Sequence, residues 1–306
     1  MDDVSAAKIL ISCLDLTSLN QTDTEETIKS LCARAQTPFG KTAAVCLFQQ
    51  FIPFAKTVLP PDIKIATVIN FPSGLADLHL LDKEISSAVN LGADELDVIL
   101  PYRTLLTGDK EFCAKYLTQA RHAAGKKTLK IIIETGELKT IEMIREASKL
   151  CLDAKADFIK TSTGKTDISA TPEAANVILE TIRQSGSTHV GFKASGGIKT
   201  TEDAKKYLTL AQSIMGASWV TPAHFRIGAN ADQAAEDQEQ HGHHGGVVVG
   251  GVRNETEKGA QCFALPELVF PMFLLCLGYP QTLPEQRPRL DRQFIYDVDR
   301  YPKLPD

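Results

Sequence analysis

Between residues 9 and 229 the chain alternates eight short, apolar, β-rich runs with longer amphipathic stretches. Strands covered on both faces read as near-continuous apolar runs, so this alternation is the pattern of βα units around a parallel sheet. The runs are Ile9 to Leu16, Ala43 to Phe48, Ile63 to Phe71, Glu95 to Leu100, Leu129 to Thr135, Phe158 to Thr163, His189 to Ala194 and His224 to Ala229. Between them the spacing predicts helices over Thr24 to Ala35, Ala76 to Leu91 closed by Gly92, Leu138 to Ala154, and Thr171 to Gln184 with Pro172 at the first helical position. Eight such units predict an α/β fold, a (β/α)8 barrel over residues 1–230. An open doubly wound sheet is the competing architecture. No Gly-x-Gly-x-x-Gly turn follows the first run, which removes the dinucleotide signature of that alternative. A barrel also predicts chemistry at the C-terminal ends of its strands, and Asp15, Asp97, Lys160 and Lys193 read as lying near such ends.

Lys160 ends the apolar start of Asp157-Phe-Ile-Lys-Thr-Ser-Thr-Gly-Lys165. A buried ammonium is costly, and a lysine escapes the cost by lowering its pKa and becoming a neutral nucleophile. Lys193 has the same context in Val190-Gly-Phe-Lys-Ala-Ser-Gly-Gly197. If the two runs are adjacent parallel strands, about 4.8 Å apart, each lysine disfavours the charge of the other. Two surface lysines in unrelated loops are the plain alternative.

Asp97 lies inside Glu95-Leu-Asp-Val-Ile-Leu100, where alternation puts Glu95, Asp97 and Ile99 on one face. A carboxylate in such a run calls for a cationic partner. Asp15 reads equally as a site residue or a turn-former, and Cys46 as a core thiol that lines a pocket. Glu134 reads either as support for a lysine or as part of a loop. The Thr163-Gly164-Lys165 turn offers N–H groups and a cation, while Gly196 and Gly197 permit close backbone approach before a helix near Thr201. Together the two turns predict an anion site.

Length and composition limit the alternatives. With 306 residues and 43% hydrophobic content the chain can bury a large core. A net charge of −5 and the lack of a Lys/Arg-rich block argue against nucleic acid as a partner. Seven cysteines without Cys-x-x-Cys spacing read as reduced, buried thiols of a cytoplasmic protein. Met1-Asp-Asp-Val-Ser lacks a basic signal region, and no apolar run is long enough for a bilayer, so neither secretion nor a membrane partner is expected.

The ordered stretches Leu14-Asp-Leu-Thr, Thr42-Ala-Ala-Val-Cys, Ile65-Ala-Thr-Val-Ile-Asn-Phe-Pro, Glu95-Leu-Asp-Val-Ile-Leu-Pro-Tyr-Arg, Ile133-Glu-Thr-Gly-Glu-Leu, Asp157 to Lys165, Gly191-Phe-Lys-Ala-Ser-Gly-Gly and His224-Phe-Arg-Ile-Gly resemble deoxyribose-phosphate aldolases. The resemblance implies a class I aldolase on a (β/α)8 barrel, with a small sugar phosphate as substrate and neither metal nor organic cofactor. It makes Lys160 the Schiff-base lysine, Lys193 its perturbing neighbour and Asp97 part of a proton relay. Asp15 and Cys46 would line the substrate pocket, and Thr163, Gly164, Lys165, Gly196 and Gly197 would surround the phosphate. A homo-oligomer is also expected.

After Gly228 the family pattern gives way to Ala229-Asn-Ala-Asp-Gln-Ala-Ala-Glu. The family's phosphate-binding serines are missing, and Asp232 puts a negative charge near the expected phosphate. Residues 231–246 read as a replaced last helix and a Gly/His linker, since the histidines of His241-Gly-His-His-Gly-Gly246 lack further ligands at metal-site spacing. Residues 247–306 resemble the C-terminal part of flavin-dependent nitroreductases and are too few to form an independent domain. Two competing functions follow: a catalytically impaired barrel acting as an interaction protein, and a flavin-binding oxidoreductase acting through the tail.

Overall fold

The computed structural model describes residues 3–230, 271–272 and 275–276. Eight parallel strands close into a barrel: β1 (Leu14–Thr17), β2 (Ala44–Leu47), β3 (Lys64–Ile69), β4 (Glu95–Ile99), β5 (Thr128–Ile132), β6 (Phe158–Lys160), β7 (Gly191–Ser195) and β8 (Phe225–Asn230). Closure is made by β8 pairing with β1, in the register Leu14 to Ile227 and Asp15 to Gly228. The (β/α)8 expectation holds, and an open sheet does not.

The helices are α1 (Asp3–Ser12), α2 (Glu25–Arg34), α3 (Ile52–Val58), α4 (Leu78–Leu91), α5 (Tyr102–Leu106), α6 (Lys110–Ala124), α7 (Thr135–Leu138), α8 (Ile141–Asp153), α9 (Pro172–Ser185) and α10 (Thr201–Met215). Their starts follow from side chains that satisfy orphan N–H groups. Asp77 accepts from the N–H groups of His79 and Leu80, Thr171 from that of Ala174, and Thr200 shares a reciprocal capping box with Asp203.

Two elements depart from the sequence expectation. The run from Ile9 to Leu16 is not one strand: its first part completes α1, which buries Ala6 and Leu10 four residues apart, and only Leu14 onward is extended. A short apolar run satisfies either periodicity, so length alone misleads there. The helix expected from Leu138 to Ala154 is broken. Leu138 ends α7, Lys139 adopts φ 64°, and the Thr140 hydroxyl accepts from the N–H of Met143 to start α8 afresh.

Alternation divides each strand between two environments. Val45, Leu47, Leu96, Val98, Leu129, Ile131, Ile159, Phe192 and Ile227 belong to the core shared with the helices. Ala44, Cys46, Ala66 and Val68, with Leu19, form a separate small apolar cluster on the opposite faces of β2 and β3. Those faces are in register with charged positions, since Ala66 pairs with Glu95, Val68 with Asp97 and Ala44 with Asp15. The barrel interior is therefore apolar along β2 and β3 and ionic along β4 to β8 and β1. Among the described residues no helix is long and apolar enough to cross a membrane.

Candidate active site

The ionic side of the interior contains seven buried charged residues. Asp15, Glu95, Asp97, Lys130, Lys160, Lys193 and Arg226 come from β1, β4, β4, β5, β6, β7 and β8, and each is at most 6% exposed. Lys160 is the last residue of β6 and pairs in register with Lys193 on β7. Asp97 and Lys193 sit mid-strand rather than at strand ends, which places them inside the barrel rather than on its rim.

Asp97 is the hub. Its Oδ2 accepts from Lys160 Nζ at 2.9 Å and Lys193 Nζ at 2.8 Å, while its Oδ1 accepts from Lys130 Nζ at 2.8 Å. Lys193 also donates to Asp15 Oδ2 at 2.5 Å. Arg226 closes the network, reaching Asp15 Oδ1 at 2.5 Å and Glu95 Oε1 at 2.9 Å, and Lys130 reaches Glu95 Oε2 at 2.5 Å. Gly228 leaves room for it. A Cβ there would lie 2.8 Å from Ser195 Cβ and 3.2 Å from Lys193 Cε.

The two lysines of the pair differ in the carboxylates they reach. Burial lowers the pKa of Lys160 from the usual lysine value, and the Lys193 charge adds to that against the pull of its one carboxylate, Asp97. For Lys193, burial is outweighed by Asp15 and Asp97, so its pKa rises and it remains an ammonium. Burial alone would raise the Asp97 carboxyl, but Lys130, Lys160 and Lys193 together hold it well below the ordinary carboxylate range. The Cys46 thiol is pushed up, first by burial and then by the Asp97 charge, which makes it a neutral wall of the site.

The predicted anion turns lie side by side. Gly164 (φ 77°) and Gly196 (φ 82°) adopt left-handed conformations that favour glycine, and a Cβ on Gly196 would lie 2.6 Å from Ser169 Oγ and 2.9 Å from Gly164 Cα. The exposed Gly197 and Lys165 flank this contact, and α10 begins just beyond it. Thr163 is engaged within the protein. Its N–H donates to both oxygens of Glu134 (3.2 and 3.3 Å) and its hydroxyl to Oε2 (2.6 Å), while the Lys165 N–H donates to Thr163 Oγ1. Among the described residues no backbone hydrogen bond engages the N–H of Gly164, Gly196 or Gly197.

Glu134, which the sequence leaves open, thus holds the loop after β6. Thr166 Oγ1 also donates to it at 3.3 Å, and its backbone is left-handed (φ 55°). Next to it, Gly136 would place a Cβ 2.0 Å from the carbonyl oxygen of Ile168, so only glycine admits the loop at that distance. Lys130 and Arg226 were not singled out from the sequence. The signal was present, because each interrupts an apolar strand as Lys160 does, in Leu129-Lys-Ile-Ile and Phe225-Arg-Ile.

A buried lysine amine beside a carboxylate and a second lysine is equipped for amine chemistry on a carbonyl. In line with that geometry, the profile of the DeoC/LacD family aldolases matches residues 9–250. The chain belongs to this aldolase family. Solved structures agree with the assignment. The aldolase is 29% identical to a candidate deoxyribose-phosphate aldolase from Coccidioides immitis, covering 73% of this chain and 82% of that one with a TM-score of 0.64. It is 25% identical to the tetrameric deoxyribose phosphate aldolase from Aeropyrum pernix, covering 73% and 87% with a TM-score of 0.57. An apo-form protein from Toxoplasma gondii ME49, at 22% identity, covers 74% and 92% with a TM-score of 0.67 and shares the fold. The comparisons do not support the nitroreductase-like reading of residues 247–306, and the replaced helix, the linker and nearly all of that tail lie outside the described residues.

Proposed function

We propose that this aldolase is a class I, Schiff-base enzyme that reversibly cleaves 2-deoxy-D-ribose 5-phosphate to D-glyceraldehyde 3-phosphate and acetaldehyde. The observation that carries the reading is the Lys160 amine, buried at the end of β6, sharing one oxygen of Asp97 with the Lys193 ammonium. Lys160 Nζ adds to carbon 1 of the open-chain sugar, and loss of water gives an iminium. A base acting through Asp97 and Lys193 takes the proton of the carbon-3 hydroxyl. The bond between carbons 2 and 3 breaks, its electron pair enters the iminium to give an enamine, and D-glyceraldehyde 3-phosphate departs. Protonation of carbon 2 and hydrolysis release acetaldehyde and restore the amine.

Electrostatics favours that sequence. The iminium puts a positive charge beside Lys193, and conversion to the enamine removes it. Lys165 and the N–H groups of Gly164, Gly196 and Gly197, which no backbone hydrogen bond among the described residues engages, would supply the anion site for the 5-phosphate. No organic cofactor or metal is required by these steps. The buried free thiols of Cys13, Cys32, Cys46, Cys113 and Cys151 support a cytoplasmic setting, and the tetrameric Aeropyrum pernix neighbour supports a homo-oligomer.

The test is borohydride reduction in the presence of 2-deoxyribose 5-phosphate, followed by peptide mass mapping. An adduct on the Lys160 peptide, lost together with turnover in Lys160→Ala, is the expected result. A folded protein that forms no adduct would overturn this reading and leave a catalytically impaired barrel.

A further inference from the structure

The ion network has an odd number of members. Four cations, Lys130, Lys160, Lys193 and Arg226, face three carboxylates, Asp15, Glu95 and Asp97, with side chains no more than 7% exposed. Excess charge without solvent is costly. Within this ion-paired group the charges balance when one cation gives up its proton, and Arg226 cannot do so. Lys130 and Lys193 each touch two or more carboxylates, whereas among the described residues Lys160 touches Asp97 alone.

Arg226 is held as a fixed charge. Its Nε donates to the Pro222 carbonyl at 2.5 Å, Nη1 to Asp15 and Nη2 to Glu95, and its guanidinium lies 5.4 Å from the centre of the Phe158 ring. Gly191 makes that arrangement possible, since a Cβ there would lie 2.3 Å from the edge of Phe158. By occupying Asp15 and Glu95, Arg226 uses up negative charge that Lys130 and Lys193 would otherwise have to themselves.

We propose that Arg226 and Glu95 are a positioning pair for the nucleophile: their opposite charges, relayed through Asp15, Lys130 and Asp97, set the count that leaves Lys160 as the free amine. Neither residue touches Lys160. The inference rests on the Schiff-base reading above. Around Lys160 stand Asp97 from β4, Lys193 from β7 and Cys46 from β2, with Lys130 from β5 and Asp15 from β1 behind them, and Glu134 acts on it from the segment after β5. Among the described residues the Glu134 carboxylate bonds to Thr163 and Thr166, outside the network, and it is common to every variant below, so its attraction for the Lys160 charge cancels in the comparison.

The signs follow from the count. Replacing Arg226 by methionine leaves a carboxylate in excess and favours the Lys160 ammonium, so more alkaline solution is needed to free the amine. Replacing Glu95 by glutamine has the opposite effect. Replacing both restores balance, and Arg226→Lys preserves it.

The probe is acetaldehyde with sodium cyanoborohydride. The amine and aldehyde lose water to form an imine, hydride adds to its carbon, and Lys160 becomes a secondary amine quantified by peptide mass mapping across pH. The wild-type rate rises along a limb set by Lys160 deprotonation. In Arg226→Met that limb moves alkaline, in Glu95→Gln it moves acidic, each on the order of one pH unit, and the double variant and Arg226→Lys return to the wild-type position. Limbs that stay in place, or that move in the same direction in both single variants, overturn the proposal while leaving the Schiff base intact. Absence of any adduct on wild-type Lys160 overturns both. Circular dichroism establishes folding of each variant. If Arg226→Met does not fold, the acidic shift in Glu95→Gln and its reversal in Glu95→Gln/Arg226→Lys/Lys130→Met, which again leaves two carboxylates facing three cations, decide the matter.

Discussion

Glu134→Gln tests the loop after β6 through hydrogen bonds that do not involve Lys160. The carboxylate receives the Thr163 N–H, the Thr163 hydroxyl at 2.6 Å and the Thr166 hydroxyl at 3.3 Å, so it is an acceptor throughout. Glutamine has the same shape but one acceptor oxygen. Its NH2 group must face a donor already aimed at that position, and the Thr163 N–H has no other acceptor among the described residues. A hydrogen bond to a charged group contributes about 1.5–3 kcal/mol, and one such bond is lost. At about 1.4 kcal/mol per decade, the loop that carries Gly164 and Lys165 is displaced from its binding geometry at a cost of roughly ten- to a hundredfold. That loss should fall on KM for 2-deoxyribose 5-phosphate. Turnover of unphosphorylated 2-deoxyribose, which has no group for the turn to hold, should change little. Steady-state aldehyde release with both sugars measures the split. Equal losses on the two substrates would refute the reasoning, because the loss would then come from the pull of the Glu134 charge on Lys160 and not from the turn.

Asp97→Asn should be destabilising as well as inactive, by about 3–5 kcal/mol in denaturant titration, because three buried lysines lose their shared acceptor charge. Gly228→Ala should cost about 1–3 kcal/mol of stability and lower kcat, since the added methyl group meets Ser195 and Lys193 Cε; unchanged kcat would separate that contact from catalysis. Folded-state pKa values of Asp15 and Asp97 are depressed, so their stabilising effect is complete above the usual carboxylate range and is lost as pH falls through their folded values. Thermal unfolding should therefore show a stability loss confined to pH below about 4, and Asp97→Asn should flatten it.

The sequence alone determined the number of βα units and singled out Lys160, Lys193 and Asp97, which the fold brings together inside the barrel. A charge inside an apolar run makes Lys160, Lys193 and Asp97 stand out without coordinates, as it does Lys130 and Arg226, and glycines mark the turns after Lys160 and Lys193. The tertiary structure decided what periodicity cannot. Ile9 to Leu16 fits a helix or a strand until α1 packs, and the break at Lys139 comes from a local cap inside an otherwise helical pattern. Pairing across the barrel decided the rest. Asp15 and Arg226 are 211 residues apart in the chain, and only closure of β8 on β1 brings their charges together. The electrostatic state of Lys160 depends on that closure, because the balance of a buried network is a sum over all its members, and no stretch of sequence contains them all.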